Sequence, residues 1–193
     1  MEDAKPWSGR TASQALDDDA LMGAVGQGAR DAFAVLMERH LDRTLALATR
    51  ITGNRSVAED VAQDAFLRVW KTAANWQPGR ARFTTWLYRV TVNLCLDLRR
   101  RPAFAPLELI GDPPDLSEDA VSALARRQRA ALLGREIAGL GDRQRAALAL
   151  CYAGGMSNAE AAEVLEISVG ALEGLLVRAR RKLRERLSGK LES

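Results

Sequence analysis

Histidine and cysteine, which build most metal centres and many catalytic sites, are scarce in this chain. Its 193 residues include one histidine, His40, and two cysteines, Cys95 and Cys151. A zinc site or a histidine-based triad needs more such side chains than the chain contains. We therefore expect no cofactor, no metal and no small-molecule substrate, and we predict that the chain is not an enzyme.

Long apolar runs are also missing, although hydrophobic residues make up 47% of the chain. No run approaches the roughly 20 residues that a membrane-spanning helix requires, and Met1–Asp19 has no apolar signal-peptide core. We therefore expect a cytoplasmic protein, in a reducing compartment where Cys95 and Cys151 are two separate buried thiols. The net charge is only +3, so the distribution of charge is more informative than its sum.

Alternation of period two and hairpin turns between apolar runs are absent too, which predicts an all-α fold. The first long helix is expected over about 31–51, where apolar residues recur at helical spacing. Ser56 and Glu59 form a capping-box pattern that would open the next helix. A further helix is expected over about 83–101, where Pro102 stops it.

Prolines and acids concentrate in the segment 102–119, which contains four prolines, five acids and no lysine or arginine. Such a composition is typical of an extended linker. We therefore predict two small helical domains, at residues 19–101 and 120–193, joined by this acidic linker. A flexible N-terminal tail is expected at residues 1–18.

The most informative segment of the chain is 157–187. Ser157 and Glu160 form a capping-box pattern, and the short helix that follows ends in a turn where Ser168 can cap a second helix. An apolar stripe at helical spacing runs along that second helix: Val169, Leu172, Leu176, Ala179 and Leu183. Two short helices joined in this way are typical of a helix-turn-helix, whose second helix usually enters the major groove of DNA.

The end of the second helix is strongly basic. Between Arg178 and Lys190 there are seven basic residues and one acid, Glu185, an imbalance that suits contact with DNA phosphates. A solvated amphipathic helix that closes a helical bundle would show a similar pattern, and on this segment alone that alternative stays open.

The helix after Ser56 carries a mixed polar and apolar face. Four residues share this face at helical spacing: Asp60, Gln63, Asp64 and Leu67. Two aromatic residues flank it: Phe66 and Trp70. Acids, an amide and exposed rings together suit docking on a basic helical partner. Alternatively, both rings are core residues and the acids are merely solvated; the pattern does not separate these two interpretations.

Aromatic and basic residues alternate in the next stretch, from Asn75 to Arg101. Three rings and three arginines are interleaved there: Trp76, Arg80, Arg82, Phe83, Trp86 and Arg89. Rings beside guanidinium groups suit unstacked bases and a single-stranded backbone. The alternative is again that the rings are core residues.

Three motifs of the first domain resemble conserved region 2 of the bacterial sigma-70 family: E-D-V-A-Q-D-A-F-L-R-V-W (Glu59–Trp70), R-F-T-T-W-L-Y-R-V-T-V-N (Arg82–Asn93) and D-L-R-R-R (Asp97–Arg101). The second domain resembles region 4, from L-G-D-R-Q-R-A-A-L-A-L at Leu140 to the R-A-R-R-K-L run. A short linker between these two regions is similar to the architecture of extracytoplasmic-function (ECF, group 4) sigma factors.

The resemblance implies an alternative sigma factor, which binds core RNA polymerase and directs transcription initiation at specific promoters. Contact with the β′ clamp helices of polymerase is implied for Asp60, Gln63, Asp64, Phe66 and Trp70. The loop 75–82 would capture a base flipped from the non-template strand at the −10 element, where a fitted pocket offsets the cost of unstacking. Contacts with −10 DNA are implied for Asn75, Trp76, Arg80, Arg82, Phe83, Trp86, Asn93, Asp97 and Arg100.

The same resemblance places recognition of the −35 element on the second helix of the helix-turn-helix. The residues implied there are Ser168, Glu173, Gly174, Arg178, Arg180, Arg181 and Lys182. It implies three partners: core RNA polymerase (β′ clamp helices and β flap), promoter DNA, and an anti-sigma factor of the kind that often holds such factors at a membrane. The acidic linker would thread the RNA exit path of polymerase, a hypothesis that rests on its charge alone.

Two departures from the family pattern concern promoter choice. The recognition helix commonly begins G-T-V-K-S-R, but the run here is G-A-L-E-G-L, in which Glu173, Gly174 and Leu175 replace a basic, a hydroxyl and a basic residue. Glutamate accepts a hydrogen bond from cytosine N4 but repels phosphate, so we expect a −35 sequence other than the commonest one. At Arg89 and Val90 the chain lacks the tryptophan pair that primary sigma factors use to open the duplex, and we expect stringent promoter choice.

Two other functions stay open beside this one. A free-standing helix-turn-helix regulator would bind palindromic DNA as a dimer without core polymerase, and a helical adaptor would bind only proteins. The first domain resembles no ligand-binding or phosphoacceptor domain, which argues against the regulator. The basic C-terminal helix argues against the adaptor.

Overall fold

The computed structural model describes residues 13–100 and 120–191, and over these ranges the chain is all-α, as predicted. The first domain comprises α1 (Asp18–Gly26), α2 (Arg30–Thr52), α3 (Arg55–Thr72) and α4 (Phe83–Arg99). The second comprises α5 (Ala120–Ala138), α6 (Asp142–Leu148), α7 (Asn158–Leu165) and α8 (Val169–Leu191). A short 3-10 turn (Ala73–Asn75) follows α3, and a π-helical turn (Ala149–Ala153) follows α6. Among the described helices, none has the length and apolar character needed to span a bilayer.

The flexible tail predicted at 1–18 is only partly within the described residues. Residues 1–12 lie outside them, as does the acidic linker predicted at 102–119. Asp17 and Asp18 are part of the first domain, because Asp17 caps α1 by accepting a hydrogen bond from an amide of its first turn (2.8 Å). The domain therefore begins before residue 19, and α1 is a helix that the sequence pattern did not predict.

Asp18 anchors α1 to the middle of α2. Its two carboxylate oxygens contact Arg39 (3.0 Å) and Nε2 of His40 (2.9 Å), and the His40 side chain is buried. The hydrogen bond with His40 is the largest cause of a pKa for Asp18 that lies below the usual value of 3.8. The only histidine of the chain therefore serves a helix–helix contact.

Replacing Asp18 with asparagine is expected to lower the free energy of unfolding at neutral pH by about 1–2 kcal/mol, because two charge-assisted contacts are weakened. The folded-state pKa of Asp18 is lowered, so its carboxylate stabilises the fold above the unfolded value of 3.8. That stabilisation is lost as the pH falls through the lower folded value. Urea unfolding of both proteins over a pH series measures the effect. A difference that does not narrow under acidic conditions would contradict this role.

α2 ends one residue beyond its predicted end at about residue 51, whereas the cap predicted for the next helix is wrong. Gly53 caps the end of α2, and its left-handed backbone (φ 71°) is readily adopted by a residue without a Cβ. The capping box predicted for Ser56 and Glu59 is wrong, because Asn54 has the extended backbone of a cap and accepts a hydrogen bond from a first-turn amide of α3 (3.2 Å). Ser56 lies inside that first turn, and Glu59 pairs with Arg55 (3.0 Å).

The first domain has a core of its own between α1 and the three longer helices. α1 contributes three buried residues, Leu21, Met22 and Val25. They pack with buried residues of the other helices: Val35, Leu36, Phe66, Val69, Phe83 and Leu87. Because α1 is short and contains two glycines, which are poor helix formers, we attribute its stability to this packing rather than to helix propensity.

The predicted helix-turn-helix corresponds to α7 and α8. Ser157 and Glu160 form the predicted capping box, in which the Glu160 amide donates to Ser157 Oγ (3.3 Å) and the Ser157 amide donates to Glu160 Oε2 (3.0 Å). Ser168 caps α8 by accepting a hydrogen bond from a first-turn amide (3.2 Å). One residue of the predicted apolar stripe is misplaced, because Val169 is exposed and burial along α8 begins at Leu172.

The two domains pack directly against each other through a shared apolar cluster. Residues from both domains belong to it: Leu47, Ile51, Val61, Val92 and Cys95 of the first, and Leu150, Leu165, Leu172 and Leu176 of the second. Burial of Cys95 in this cluster raises the pKa of its thiol to about 12. Cys151 is only partly buried. Both thiols are free, so the prediction of two unpaired cysteines is confirmed, whereas full burial holds only for Cys95.

Polar contacts reinforce this domain interface. Arg145 of α6 is buried and donates a hydrogen bond to the carbonyl oxygen of Ile51 in α2 (3.0 Å). Burial lowers the pKa of Arg145 to about 10, so its guanidinium is still charged at neutral pH. Arg99 at the end of α4 pairs with Asp142 at the start of α6 (2.5 Å).

Candidate functional site

The mixed face predicted on α3 is present on the surface. Its four residues, which we call the α3 face, are all exposed: Asp60, Gln63, Asp64 and Leu67. Trp70 lies one turn further along, is 39% exposed and packs edge-on against Phe33, with ring centroids 5.3 Å apart. Phe66 is buried in the core of the first domain. The expectation of an exposed flanking ring is therefore correct for Trp70 and wrong for Phe66, which supports the face only from beneath.

The segment between α3 and α4, residues 73–82, forms a short structured loop that we call the α3–α4 loop. At its tip, Pro78 and Gly79 occupy the two central positions of a turn that the Arg80 amide closes with a hydrogen bond to the Gln77 carbonyl oxygen (3.4 Å). The φ of Gly79 is 78°, which a type II turn requires at its third residue. The tip is exposed to solvent.

The three rings of this region pack on one another instead of alternating with arginines on a surface. Ring centroids are 5.5 Å apart for Trp76 and Trp86, 6.0 Å for Trp76 and Phe83, and 6.1 Å for Phe83 and Trp86. Phe83 is 3% exposed, whereas Trp76 and Trp86 are half-buried. The core interpretation is therefore correct for Phe83, which cannot offer a free face to a base in this arrangement.

Two of the interleaved arginines contact the helix-turn-helix. Arg82 pairs with Glu160 (3.3 Å). Arg89 pairs with Glu166 (3.1 Å) and donates a hydrogen bond to the carbonyl oxygen of Glu163 (3.2 Å). Two carboxylates and one carbonyl oxygen at α7 thus contact the guanidinium groups that the sequence pattern had suggested for single-stranded DNA.

Further along α4, three polar residues lie on one face at spacings of four and three. Asn93, Asp97 and Arg100 are all exposed, and the last two form an ion pair (3.7 Å). Together with Asn75 and Arg80 of the α3–α4 loop, they are exposed predicted −10 residues that make no hydrogen bond or ion pair with α7 among the described residues.

Two residues that depart from the family pattern, Glu173 and Gly174, lie in the first two turns of α8. Glu173 is exposed and accepts a hydrogen bond from Asn158 of α7 (3.5 Å). The Arg178 guanidinium lies over Gly174, where an added Cβ would come within 3.1 Å of Nη1. A side chain at this position would require that guanidinium to move by a few tenths of an ångström.

The remaining predicted −35 residues have different surroundings. Arg180 and Arg181 are exposed, with Arg181 near Glu185 (3.7 Å). Lys182 is partly buried and donates a hydrogen bond to the carbonyl oxygen of Gly139 (3.3 Å). Lys182 therefore contacts the connection between α5 and α6 and is the least available of these cations for DNA.

Sequence reasoning missed Asp19, whose carboxylate contacts the α3–α4 loop, and Arg145 at the domain interface. Asp19 stands in a run of three aspartates directly before the apolar residues of α1, and acids concentrated ahead of an apolar run are a helix-start signal. For Arg145 the available signal is the helical spacing that places it on the same side as buried Ala149.

Comparison with protein families gives two matches. The family Sigma-70 region 2 matches residues 36–103, and Sigma-70, region 4 matches residues 132–183. The ECF RNA polymerase sigma factor SigW of Bacillus subtilis is 32% identical over 84% of this chain and 92% of its own. The RNA polymerase sigma factor CnrH of Cupriavidus metallidurans is 34% identical over 86% of this chain and 93% of its own.

A solved structure is similar over most of the chain. CnrH in complex with the cytosolic domain of CnrY has a TM-score of 0.66 and 31% identity, covering 89% of this chain and 97% of that one. The two family matches, in the order region 2 and then region 4, and the similar proteins all indicate a sigma factor. The chain therefore belongs to the ECF RNA polymerase sigma factors, a family of transcription initiation factors rather than catalytic enzymes.

Proposed function

We propose that this chain is an alternative sigma factor that brings core RNA polymerase to specific promoters by reading a −10 and a −35 element. The observation that carries the proposal is the presence, on one chain, of the exposed α3 face and the basic helix-turn-helix α7–α8. A free-standing regulator would leave the exposed α3 face unexplained. An adaptor that binds only proteins would leave the basic recognition helix unexplained. We expect the protein to act in the cytoplasm.

The α3 face is the proposed contact with the β′ clamp helices. Asp60 and Asp64 offer negative charge to a basic helical partner, while Leu67 and Trp70 offer exposed apolar surface beside that charge. Apolar contacts supply affinity at such interfaces and complementary charge supplies orientation and specificity. The β flap is the second contact that we propose on polymerase.

The α3–α4 loop is the proposed site for a base flipped from the non-template strand. Exposed Arg80 and Asn75 can donate hydrogen bonds to phosphate and base edges. Buried Phe83 would form the floor beneath the loop, and half-buried Trp76 and Trp86 would form its wall. The exposed face of α4 that ends at Arg100 would then lie along the upstream part of the −10 duplex.

The N-terminal half of α8 is the proposed recognition surface for the −35 element. Glu173 can accept a hydrogen bond from cytosine N4, and Arg178 can donate to guanine or to phosphate. Arg180 and Arg181 are exposed cations that suit phosphate contacts. We assign Lys182 to phosphate contact only after it leaves the carbonyl oxygen of Gly139.

Promoter binding would exchange some contacts between the domains for contacts with DNA. Arg82, which we assign to −10 DNA, pairs with Glu160 in the described arrangement; the Arg82 side chain is 79% exposed and that of Glu160 is 42% exposed. Exposed ion pairs contribute about 0–1 kcal/mol, so phosphate can replace this carboxylate at small cost. The shared apolar cluster is the larger barrier to separating the domains.

We also propose an anti-sigma partner for this chain. Its support is the family itself and the similar solved structure, in which CnrH is bound to the cytosolic domain of CnrY. If that partner is a membrane protein, it would hold this factor at the membrane until released.

In-vitro transcription tests the proposed function. Purified protein is added to core RNA polymerase with genomic fragments as template, and core alone serves as the control. The proposal predicts transcripts that start at a small set of promoters and that need both protein and core. DNA binding without core, together with no transcripts, would instead support a free-standing regulator.

Replacing Glu173 with glutamine is expected to relax the choice of base at one −35 position by roughly ten-fold, since one good base contact is worth about 1–3 kcal/mol. The measurement is holoenzyme affinity for promoters that carry each base at each −35 position. Glu185→Gln on the same helix is the matched control, because Glu185 pairs with Arg181 and is not assigned to a base. Unchanged discrimination at every position would rule out base reading by Glu173.

A further inference from the structure

Helix α1 lies along the α3–α4 loop and touches it at both ends. Near its start, the Asp19 side chain contacts Trp76 and Gly79. At its last residue, Gly26 packs so closely on the loop that an added Cβ would lie 2.6 Å from the carbonyl oxygen of Ala73. Two contacts, at opposite ends of one helix, hold the start and the tip of the loop.

The contact at Asp19 divides one carboxylate between two parts of the loop. Oδ1 accepts a hydrogen bond from the indole Nε1 of Trp76 (2.9 Å), and Oδ2 accepts one from the Gly79 amide (3.2 Å). Gly79 is the third residue of the type II turn, whose internal hydrogen bond uses the amide of Arg80 and not that of Gly79. The Gly79 amide therefore stays available for the carboxylate.

The neighbouring aspartates have different partners, so the role of Asp19 is separable from theirs. Asp17 caps α1, and Asp18 binds Arg39 and His40 of α2. Asp18 thus contacts the body of the domain, whereas Asp19 contacts the loop directly. A carboxylate that accepts two hydrogen bonds makes stronger bonds than a neutral acceptor does.

We propose that Asp19 is a positioning residue for recognition of the flipped base. It holds Trp76 and the Gly79 turn in the geometry that binds the base before DNA arrives. The entropy cost of ordering the loop therefore falls on folding and not on promoter binding. This inference rests on the proposed function of the α3–α4 loop. It makes α1 part of the promoter-reading apparatus, and it assigns a residue outside the motifs that resemble region 2.

The test uses holoenzyme and single-stranded DNA. The probe is the non-template −10 strand of a promoter selected by transcription from genomic fragments, together with copies that carry an abasic site at each −10 position. The ratio of affinities for intact and abasic strands measures recognition of each base. Asp19→Ala is expected to lower the largest ratio about ten-fold, with affinity for core polymerase unchanged. Asp19→Asn, which keeps one acceptor oxygen, is expected to fall between wild type and Asp19→Ala.

Asp18→Asn is the matched control, because Asp18 lies beside Asp19 on α1 but contacts α2 and not the loop. It is expected to reduce thermal stability and to leave the ratio unchanged. An equal fall in the ratio for Asp18→Asn and Asp19→Asn would show that only docking of α1 matters, which would overturn a separate role for Asp19. A wild-type ratio near one at every position would overturn the function proposed for the loop. A high wild-type ratio that Asp19→Ala leaves unchanged would overturn this inference alone.

Discussion

Replacing Asp64 with lysine is expected to lower the affinity for core RNA polymerase by at least about 100-fold while the fold is kept. Asp64 is exposed on the α3 face, and lysine is a good helix former at a surface position. In the complex, the substitution would place a cation against a basic partner. Like charges brought together at an interface cost several kcal/mol, and each 1.4 kcal/mol is a factor of about ten in affinity.

The matched control is Asp42→Lys, the same change of charge at an exposed position of α2, outside the α3 face. Affinity for fluorescently labelled core polymerase and thermal unfolding are measured for both variants. We expect Asp42→Lys to bind core like the wild type and both variants to unfold within a few degrees of it. If core affinity of Asp64→Lys equals that of the control, the α3 face is not the docking site.

Local signals predicted most of the helices because those signals act within a few residues. The capping box at Ser157 and Glu160 and the cap at Ser168 are satisfied by amides of the adjoining turn. The helical recurrence of apolar residues in α2 and α8 likewise reports burial one turn at a time. Asn54 and Ser56 are both possible caps for α3, and Asn54 takes this role because it follows the C-cap Gly53 of α2 and has the extended conformation of a cap.

The aspartates at the start of α1 are its one local signal, and its other residues do not predict a helix. Its glycines weaken it as an isolated helix, and its buried residues pack on α2 and on residues of α3 and α4 that lie far away in sequence. The partners of Asp18 and Asp19 lie at least 21 residues away along the chain. Tertiary contacts therefore stabilise α1, and the aspartates at its start look like part of a tail until their partners are known.

The same limit applies to the rings and arginines of the candidate site. Spacing places Phe83 and Trp86 near each other but does not say which ring faces the core, since one helical turn can present either side. The partners of Arg82 and Arg89 belong to the other domain, 78 and 74 residues away. Complementarity between two domain surfaces produces no periodic pattern in either sequence segment. The sequence therefore predicted two domains joined by a linker but not their packing against each other.

Replacing Arg145 with methionine is expected to lower the free energy of unfolding by about 3 kcal/mol or more. Arg145 is 1% exposed, and its guanidinium donates to the carbonyl oxygens of Ile51 (3.0 Å), Ala138 (2.6 Å) and Leu140 (3.0 Å). Methionine fills much of the same space but donates nothing. Each buried acceptor left without a partner costs about 1–3 kcal/mol, and the variant leaves two of them, at Ile51 and Leu140, beside the part-buried carbonyl oxygen of Ala138.

The position of these carbonyls explains why a cation is needed there. Ile51 lies in the last turn of α2, and Ala138 is the last residue of α5. Carbonyls at the end of a helix lack partners within it and carry partial negative charge. Arg145 satisfies one helix end from each domain with a single planar group, so its loss is expected to weaken the domain interface as well as the second domain.

Two further variants separate this bonding from charge and size. Arg143→Met alters an exposed arginine of the same helix and is expected to change stability by less than about 0.5 kcal/mol. Arg145→Lys keeps the charge but lacks the planar fork that reaches several acceptors at once, so its stability should lie between those of wild type and Arg145→Met. Denaturant unfolding measures all three, and amide exchange near Ile51 reports the interface. If Arg145→Met were as stable as Arg143→Met, the three hydrogen bonds would make no net contribution to stability. Water would then have to solvate the three carbonyl oxygens as well as Arg145 does.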